Sequence, residues 1–206
     1  MKKLFLFDFD GVLIDSLEIY ERAVRLCLEK IGKPIVKNRA DFLELFDENF
    51  YEAIVKKGID LGEYMNASKE IVTRINYDQM VPFYDLVPVL DELRKDNILV
   101  VISSNESQAI YTVLLRHQFN DYFKEILGAD FMFSKRGKIA HAVERFQMEM
   151  DSTYYVGDTT GDIKEAKMAG VRTIAVTWGW HSREKLEVAR PDYLIDTPEE
   201  LLNLDG

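Results

Sequence analysis

The sequence predicts an α/β fold: a mostly parallel sheet covered on both faces by helices, with a second, all-helical unit inserted into it. Three observations predict it. Short apolar runs rich in β-branched and aromatic residues recur along the chain, and over its second half they alternate with helix-period segments. These runs are apolar from end to end, as expected of strands buried on both faces. Residues 10–97, by contrast, carry almost no strand signal, and a helical stretch of that length reads as a small domain.

The first strand is read over 4–9, where LFLF runs into Asp8 and Asp10. Helices follow over 17–31, stopped by Gly32, over 39–57, stopped by Gly58, and over 62–77. Pro82 and Pro88 mark the return to the sheet, with a core helix opening at 89–93. Strands are then expected over 98–103, 154–156, 173–176 and 193–195. Helices are expected over 109–117, 139–146 and 163–169, the last stopped by Gly170. The domains are therefore 1–14 with 81–206 as the sheet core and 15–80 as the helical insertion. There is no internal repeat and no low-complexity tract.

With 47% hydrophobic and 30% charged residues in 206, the composition is that of a globular protein. The apolar runs are far shorter than a membrane span. The opening Met1-Lys2-Lys3 and its apolar run superficially resemble a signal peptide, but the run meets Asp8 and Asp10 and offers no small-residue cleavage site. The single cysteine, Cys27, cannot form an internal disulfide and fits a reducing cytoplasm. Its spacing with Val24, Leu28 and Ile31 predicts a packed helix face rather than a reactive thiol. A net charge of −10 disfavours nucleic acid or an anionic membrane as partner. An acidic chain acting on an acidic substrate also needs a local positive device.

Chemistry concentrates at the strand ends, where ligands collect in open parallel sheets. Asp8 and Asp10 close the first strand, Ser103-Ser104-Asn105 close VVISSN, and Gly157-Asp158 close YYVGD, with Asp162 one helical turn later. Buried carboxylates delivered to one rim oppose one another's ionisation and need a cation. An all-oxygen donor set suits Mg²⁺, which favours a few carboxylates, waters and a phosphate.

DFDGVLIDS, SSN, a lysine ahead of a helix, and GDTTGD, in this order, resemble the haloacid dehalogenase-like superfamily. The resemblance implies a doubly wound, Rossmann-like parallel sheet core with a helical cap, 15–80, inserted after the first motif. It implies Asp8 as the nucleophile that takes the phosphoryl group, and Asp10 as general acid and base whose backbone carbonyl also binds metal. It further implies Gly11, Ser104 and Asn105 as phosphate-binding positions, the Gly11 amide among them. By the same resemblance, Asp158 would bind Mg²⁺ directly and Asp162 directly or through water, completing a site with Asp8 and Asp10. The phosphate-binding lysine is less fixed, because SKRGKIAHAV lacks the proline that usually follows it. Lys135 fits the spacing to Asp158 better and Lys138 is the alternative.

An acid at position 10 favours ester chemistry, since dehalogenases lack it. The run VTWGWHSREKLEVARPDYLIDTPEELL resembles phosphoglycolate phosphatase-like members. The implied function is Mg²⁺-dependent hydrolysis of a small phosphomonoester through an aspartyl-phosphate. A β-phosphoglucomutase-like transfer to sugar is the alternative, and a phospho-acceptor signalling module a remote one. The implied partner is a small phosphorylated metabolite, with no nucleic acid or membrane, for a cytoplasmic monomer or homodimer. Asp85 stands where relatives commonly carry glycine, which points to a changed hinge or turn.

Several residues have plainer readings. His117 and His181 read as surface or helix-end residues and His141 as a helix flank. Trp178 and Trp180 wall the site or pack the core. Lys33, Lys37, Arg39, Lys56, Lys57 and Arg74 read as a solvated face of the insertion.

Overall fold

The computed structural model describes residues 2–75 and 79–204. Six parallel strands form one sheet: β1 (Leu4–Phe7), β4 (Ile98–Ile102), β5 (Glu125–Leu127), β6 (Thr153–Gly157), β7 (Arg172–Val176) and β8 (Tyr193–Ile195), in the order β5-β4-β1-β6-β7-β8. β1 sits between β4 and β6 in a common register, Leu4 opposite both Ile98 and Thr153. The chain leaves β1 toward β4 and β5, then returns to the other side for β6, β7 and β8. The order therefore reverses at β1, the place where doubly wound sheets bind ligands.

The LFLF run is apolar throughout because both its faces are covered. Phe5 and Phe7 enter one core with Leu90, Ile110 and Val113 from α5 (Leu86–Asp96) and α6 (Ser107–Arg116). Leu4 and Leu6 enter the other with Ile139, Ala142 and Ala166 from α7 (Lys135–Phe146) and α8 (Thr160–Ala169). The period-two alternation of a strand puts neighbouring side chains on opposite faces. α9 (Arg183–Val188) adds Leu186 to a small cluster with Ile163 and Ala175.

Among the described residues, the insertion carries α1 (Leu17–Lys30), α2 (Arg39–Glu44), α3 (Phe50–Lys56) and α4 (Leu61–Val72). Val24, Cys27, Leu28, Phe42, Ile54 and Tyr64 form its own core, which Trp180 also joins. A short antiparallel ribbon, β2 (Ile14–Asp15) with β3 (Val81–Pro82), stands where the chain enters and leaves it.

The helix expected over 39–57 is two helices. α2 stops at Glu44, and Asn49 starts α3 by accepting hydrogen bonds from the Tyr51 and Glu52 amides. The helix expected over 62–77 spans Leu61–Val72, and Tyr77 lies outside the described residues. α7 begins at Lys135 rather than 139 because Ser134 caps it through the Gly137 amide. β5 was not foreseen, since its three residues include Glu125 and a half-buried Ile126. Asp85 has an ordinary right-handed backbone (φ −63°), which demands no glycine.

Candidate active site

Four carboxylates meet at the C-terminal rim of the central strands. Asp8 follows β1, Asp10 lies two residues on, Asp158 follows β6 and Asp162 sits in the first turn of α8. All four are buried, Asp158 completely. Asp8, Asp158 and Asp162 each offer an oxygen within 4.8 Å of the others. Lys135, the first residue of α7, donates from Nζ to Asp8 Oδ2 at 2.6 Å and to Asp162 Oδ1 at 2.5 Å.

Each carboxylate is held differently. Asp8 Oδ1 accepts the Phe9 amide at 2.7 Å. Asp10 accepts Ser16 Oγ on Oδ1 and Asn105 Nδ2 on Oδ2, both at 2.6 Å. Asp162 Oδ2 accepts the Thr159 hydroxyl at 2.6 Å and the Thr159 amide at 3.1 Å, completing a reciprocal cap at the start of α8. Asp158 Oδ2 accepts the Trp180 amide at 2.7 Å, while Asp158 Oδ1 is buried and finds no hydrogen-bond partner among the described residues.

Burial pushes the Asp8 carboxyl up to about 8 against the pull of Lys135, with Asp162 adding repulsion. Burial raises Asp10 to about 6, opposed by the Ser16 hydrogen bond. Asp158 is raised well above the usual carboxylate range by burial and then by the charges of Asp162 and Asp8. Asp162 stays below that range: burial works against it, but the charge and hydrogen bond of Lys135 win. One ammonium thus serves a cluster of four acids, and proton retention balances the rest.

The donor set fits a hard divalent cation. Three carboxylates converge, and one of their oxygens is buried and unpartnered, a costly state that a bound cation relieves. The backbone clears room around Asp158. A Cβ on Gly11 (φ +73°) would lie 2.0 Å from Asp158 Oδ2, and one on Gly179 would lie 2.4 Å from the same oxygen. Only glycine combines that positive φ with that approach.

The lysines part ways. Lys135 bonds the acids, whereas Lys138, fully buried one turn later, donates to the Ser103 carbonyl. Burial, then the charge of Lys135, lowers the Lys138 ammonium to about 7. Ser104 lies at the end of β4, its carbonyl accepting the Tyr51 hydroxyl of the insertion at 2.7 Å. The Gly11 amide does not face the rim as expected: it donates to the Ile14 carbonyl at 2.9 Å, closing the turn after β1. Gly11 is needed here for its backbone and its lack of a side chain.

His181 corrects the surface reading. It is buried, accepts the Thr160 amide on Nδ1 at 3.1 Å, and contacts the Leu43 carbonyl through Nε2 at 3.1 Å, so it ties α8 to the insertion. The loop residues His181 and Ser182 carry no sequence sign of this. Trp180 packs among Tyr20, Phe42 and Phe46, and only its amide serves the site. Thr159, unassigned from the sequence, was findable: Thr-x-x-Asp before a helix is a capping pattern.

The haloacid dehalogenase-like hydrolase family model matches residues 5–176. The chain is 28% identical over 202 residues to a phosphoglycolate phosphatase of Synechococcus elongatus, covering 96% of this chain and 94% of that protein. It is 27% identical to one of Aliivibrio fischeri, covering 97% and 95%. Its fold is similar to that of a "predicted phosphatase" from Clostridium acetobutylicum, with a TM-score of 0.85, 21% identity, and coverage of 99% and 100%.

Proposed function

The chain belongs to the haloacid dehalogenase-like hydrolase family, and from that premise we propose that it is a Mg²⁺-dependent phosphatase that hydrolyses a small phosphomonoester in the cytoplasm through an aspartyl-phosphate on Asp8. The observation that carries this reading is the convergence of Asp8, Asp158 and Asp162 beside Lys135, with Asp158 Oδ1 unpartnered. Asp8, Asp158, Asp162 and the Asp10 backbone carbonyl would hold the cation. When bound, it neutralises charge so that an anionic carboxylate and an anionic phosphate can approach.

An Asp8 carboxylate oxygen forms a bond to phosphorus as the ester P–O bond breaks. Asp10, raised to about 6 by burial, keeps enough proton near neutrality to give it to the departing alkoxide. Asp10 then takes a proton from water as the water oxygen bonds to phosphorus, and Asp8 is released with inorganic phosphate. Lys135 holds Asp8 in line and offers its ammonium to phosphoryl oxygens, and Ser104 and Asn105 border the position those oxygens would take.

The helical insertion, 15–80, acts as a cap over this rim. Asn49 Nδ2 donates to Glu165 at 2.8 Å and the Gly161 amide to the Phe46 carbonyl at 2.9 Å, so the cap closes against α8. The two-residue ribbon of β2 and β3 is the hinge. The test is a panel of phosphate esters, phosphoglycolate and a sugar phosphate among them, assayed with Mg²⁺ and with chelator. Inorganic phosphate released only with Mg²⁺ is expected. Isomerised sugar phosphate without inorganic phosphate would instead establish the mutase alternative.

A further inference from the structure

We propose, resting on the phosphatase reading above, that the preferred substrate is a phosphate monoester whose leaving group is uncharged and predominantly apolar, seated in a chamber between the helical insertion and α6. The chamber has a volume of about 260 Å³. Its walls include Phe9 after β1, Val24 and Cys27 from α1, Tyr64 and Ile71 from α4, and Val113 from α6, all buried. About 150 Å³ is enough to hold benzene in an apolar cavity. A small aryl or short alkyl group therefore fits.

Position ties the chamber to the chemistry. Ser104 and Asn105 form part of its lining, and Asn105 Nδ2 donates to Asp10 Oδ2 at 2.6 Å. The end of the chamber thus borders the acid that protonates the leaving oxygen, where the carbon of the ester must lie. Charge then selects among esters. Among the described lining residues, the groups of formal charge are Lys69 and Glu106, both exposed, and the Tyr51 hydroxyl is already donated to the Ser104 carbonyl. A substrate carboxylate, as in phosphoglycolate, would enter an apolar chamber with no buried cation to meet it, an unfavourable transfer. An apolar group gains from the same transfer.

The experiment measures kcat/KM with Mg²⁺ for methyl, butyl and hexyl phosphate, phenyl phosphate and phosphoglycolate. Rising kcat/KM along the alkyl series, by about three- to fourfold per methylene buried, with phosphoglycolate below butyl phosphate, is the expected result. A flat alkyl series, or phosphoglycolate as the best substrate, overturns this proposal while leaving the phosphatase reading intact. Turnover of no ester overturns both. Met65→Arg, which brings a charge to a half-buried wall position, should lower the hexyl-to-methyl ratio at least tenfold, as should Ala109→Leu by narrowing the chamber from α6. A ratio unmoved in both folded variants overturns the placement.

Discussion

Lys135 Nζ lies 2.6 Å from Asp8 Oδ2, joining the start of α7 to the tip of β1 across 127 residues of sequence. The pair is buried, and burial alone would pull the ammonium down. The charges of Asp162 and Asp8 hold it well above its ordinary value instead. Lys135 is thus permanently charged, and it cannot neutralise four acids alone. The remaining charge imbalance makes the site responsive to cations, protons and substitution.

Asp158 bears most directly on cation binding, because its Oδ1 has no partner and its neighbours repel it. Asp158→Asn removes the ionisable carboxyl yet keeps an oxygen for the Trp180 amide. Its metal-free melting temperature should equal or exceed that of the parent. At about 100 times Kd, Mg²⁺ should stabilise the parent by about 2.7 kcal/mol and the variant hardly at all. Differential scanning calorimetry with and without Mg²⁺ reads both; an equal Mg²⁺ shift in the two proteins would remove Asp158 from the cation site.

Stability should depend on pH in a direction opposite to that of most carboxylates. Asp8 and Asp10 keep their protons to about 8 and about 6 in the folded chain, against an ordinary 3.8. The folded state binds more protons over that window, so stability falls as pH rises through it, by up to about 1.4 kcal/mol per unit per group. Asp162, held low, is already ionised in both states there and adds no slope. Without metal, the melting temperature should fall from about pH 5 to 7; above that Lys138, lowered to about 7, loses its proton in the folded state first and opposes the fall, and saturating Mg²⁺ should flatten the slope below 7. A metal-free melting temperature that climbs over the same range would refute these proton affinities.

Asp10→Asn keeps an acceptor for Ser16 or Asn105 but has no proton to give. Alkyl phosphates, with poor leaving groups, should slow by about 10²- to 10⁴-fold, and p-nitrophenyl phosphate, whose leaving group needs no proton, far less at the first step. Uniform loss across both ester types in steady-state and single-turnover assays would deny Asp10 its acid role.

The acids were legible because strand-end position and residue type suffice to bring Asp8, Asp10, Asp158 and Asp162 to one rim once the sheet is parallel. Spacing to Asp158 favoured Lys135 over Lys138 without deciding between them, because both lie in one turn of α7 and the packing of that helix sets which ammonium meets the acids. Its true start depended on Ser134, a cap that periodicity does not register. The restart of the helix within 39–57 likewise rests on a single side chain, the Asn49 cap of α3. Gly11 was singled out for its turn and its amide beside the phosphoryl group, yet a side chain there is excluded by Asp158, 147 positions away, whose Oδ2 a Cβ would meet at 2.0 Å. His181 shows the converse: polar residues in a loop look exposed until a second unit, here the insertion, packs over them.

The central claim is that phosphoryl transfer passes through Asp8. The Asp10→Asn variant should accumulate the intermediate, because the base for its hydrolysis is gone. Rapid-quench assay with p-nitrophenyl phosphate should show a burst of about one p-nitrophenolate per active site. Borohydride reduction of the quenched protein should convert residue 8 to homoserine, located by peptide mass spectrometry. Linear release without a burst, with Asp8 unmodified at every quench time, would contradict the account.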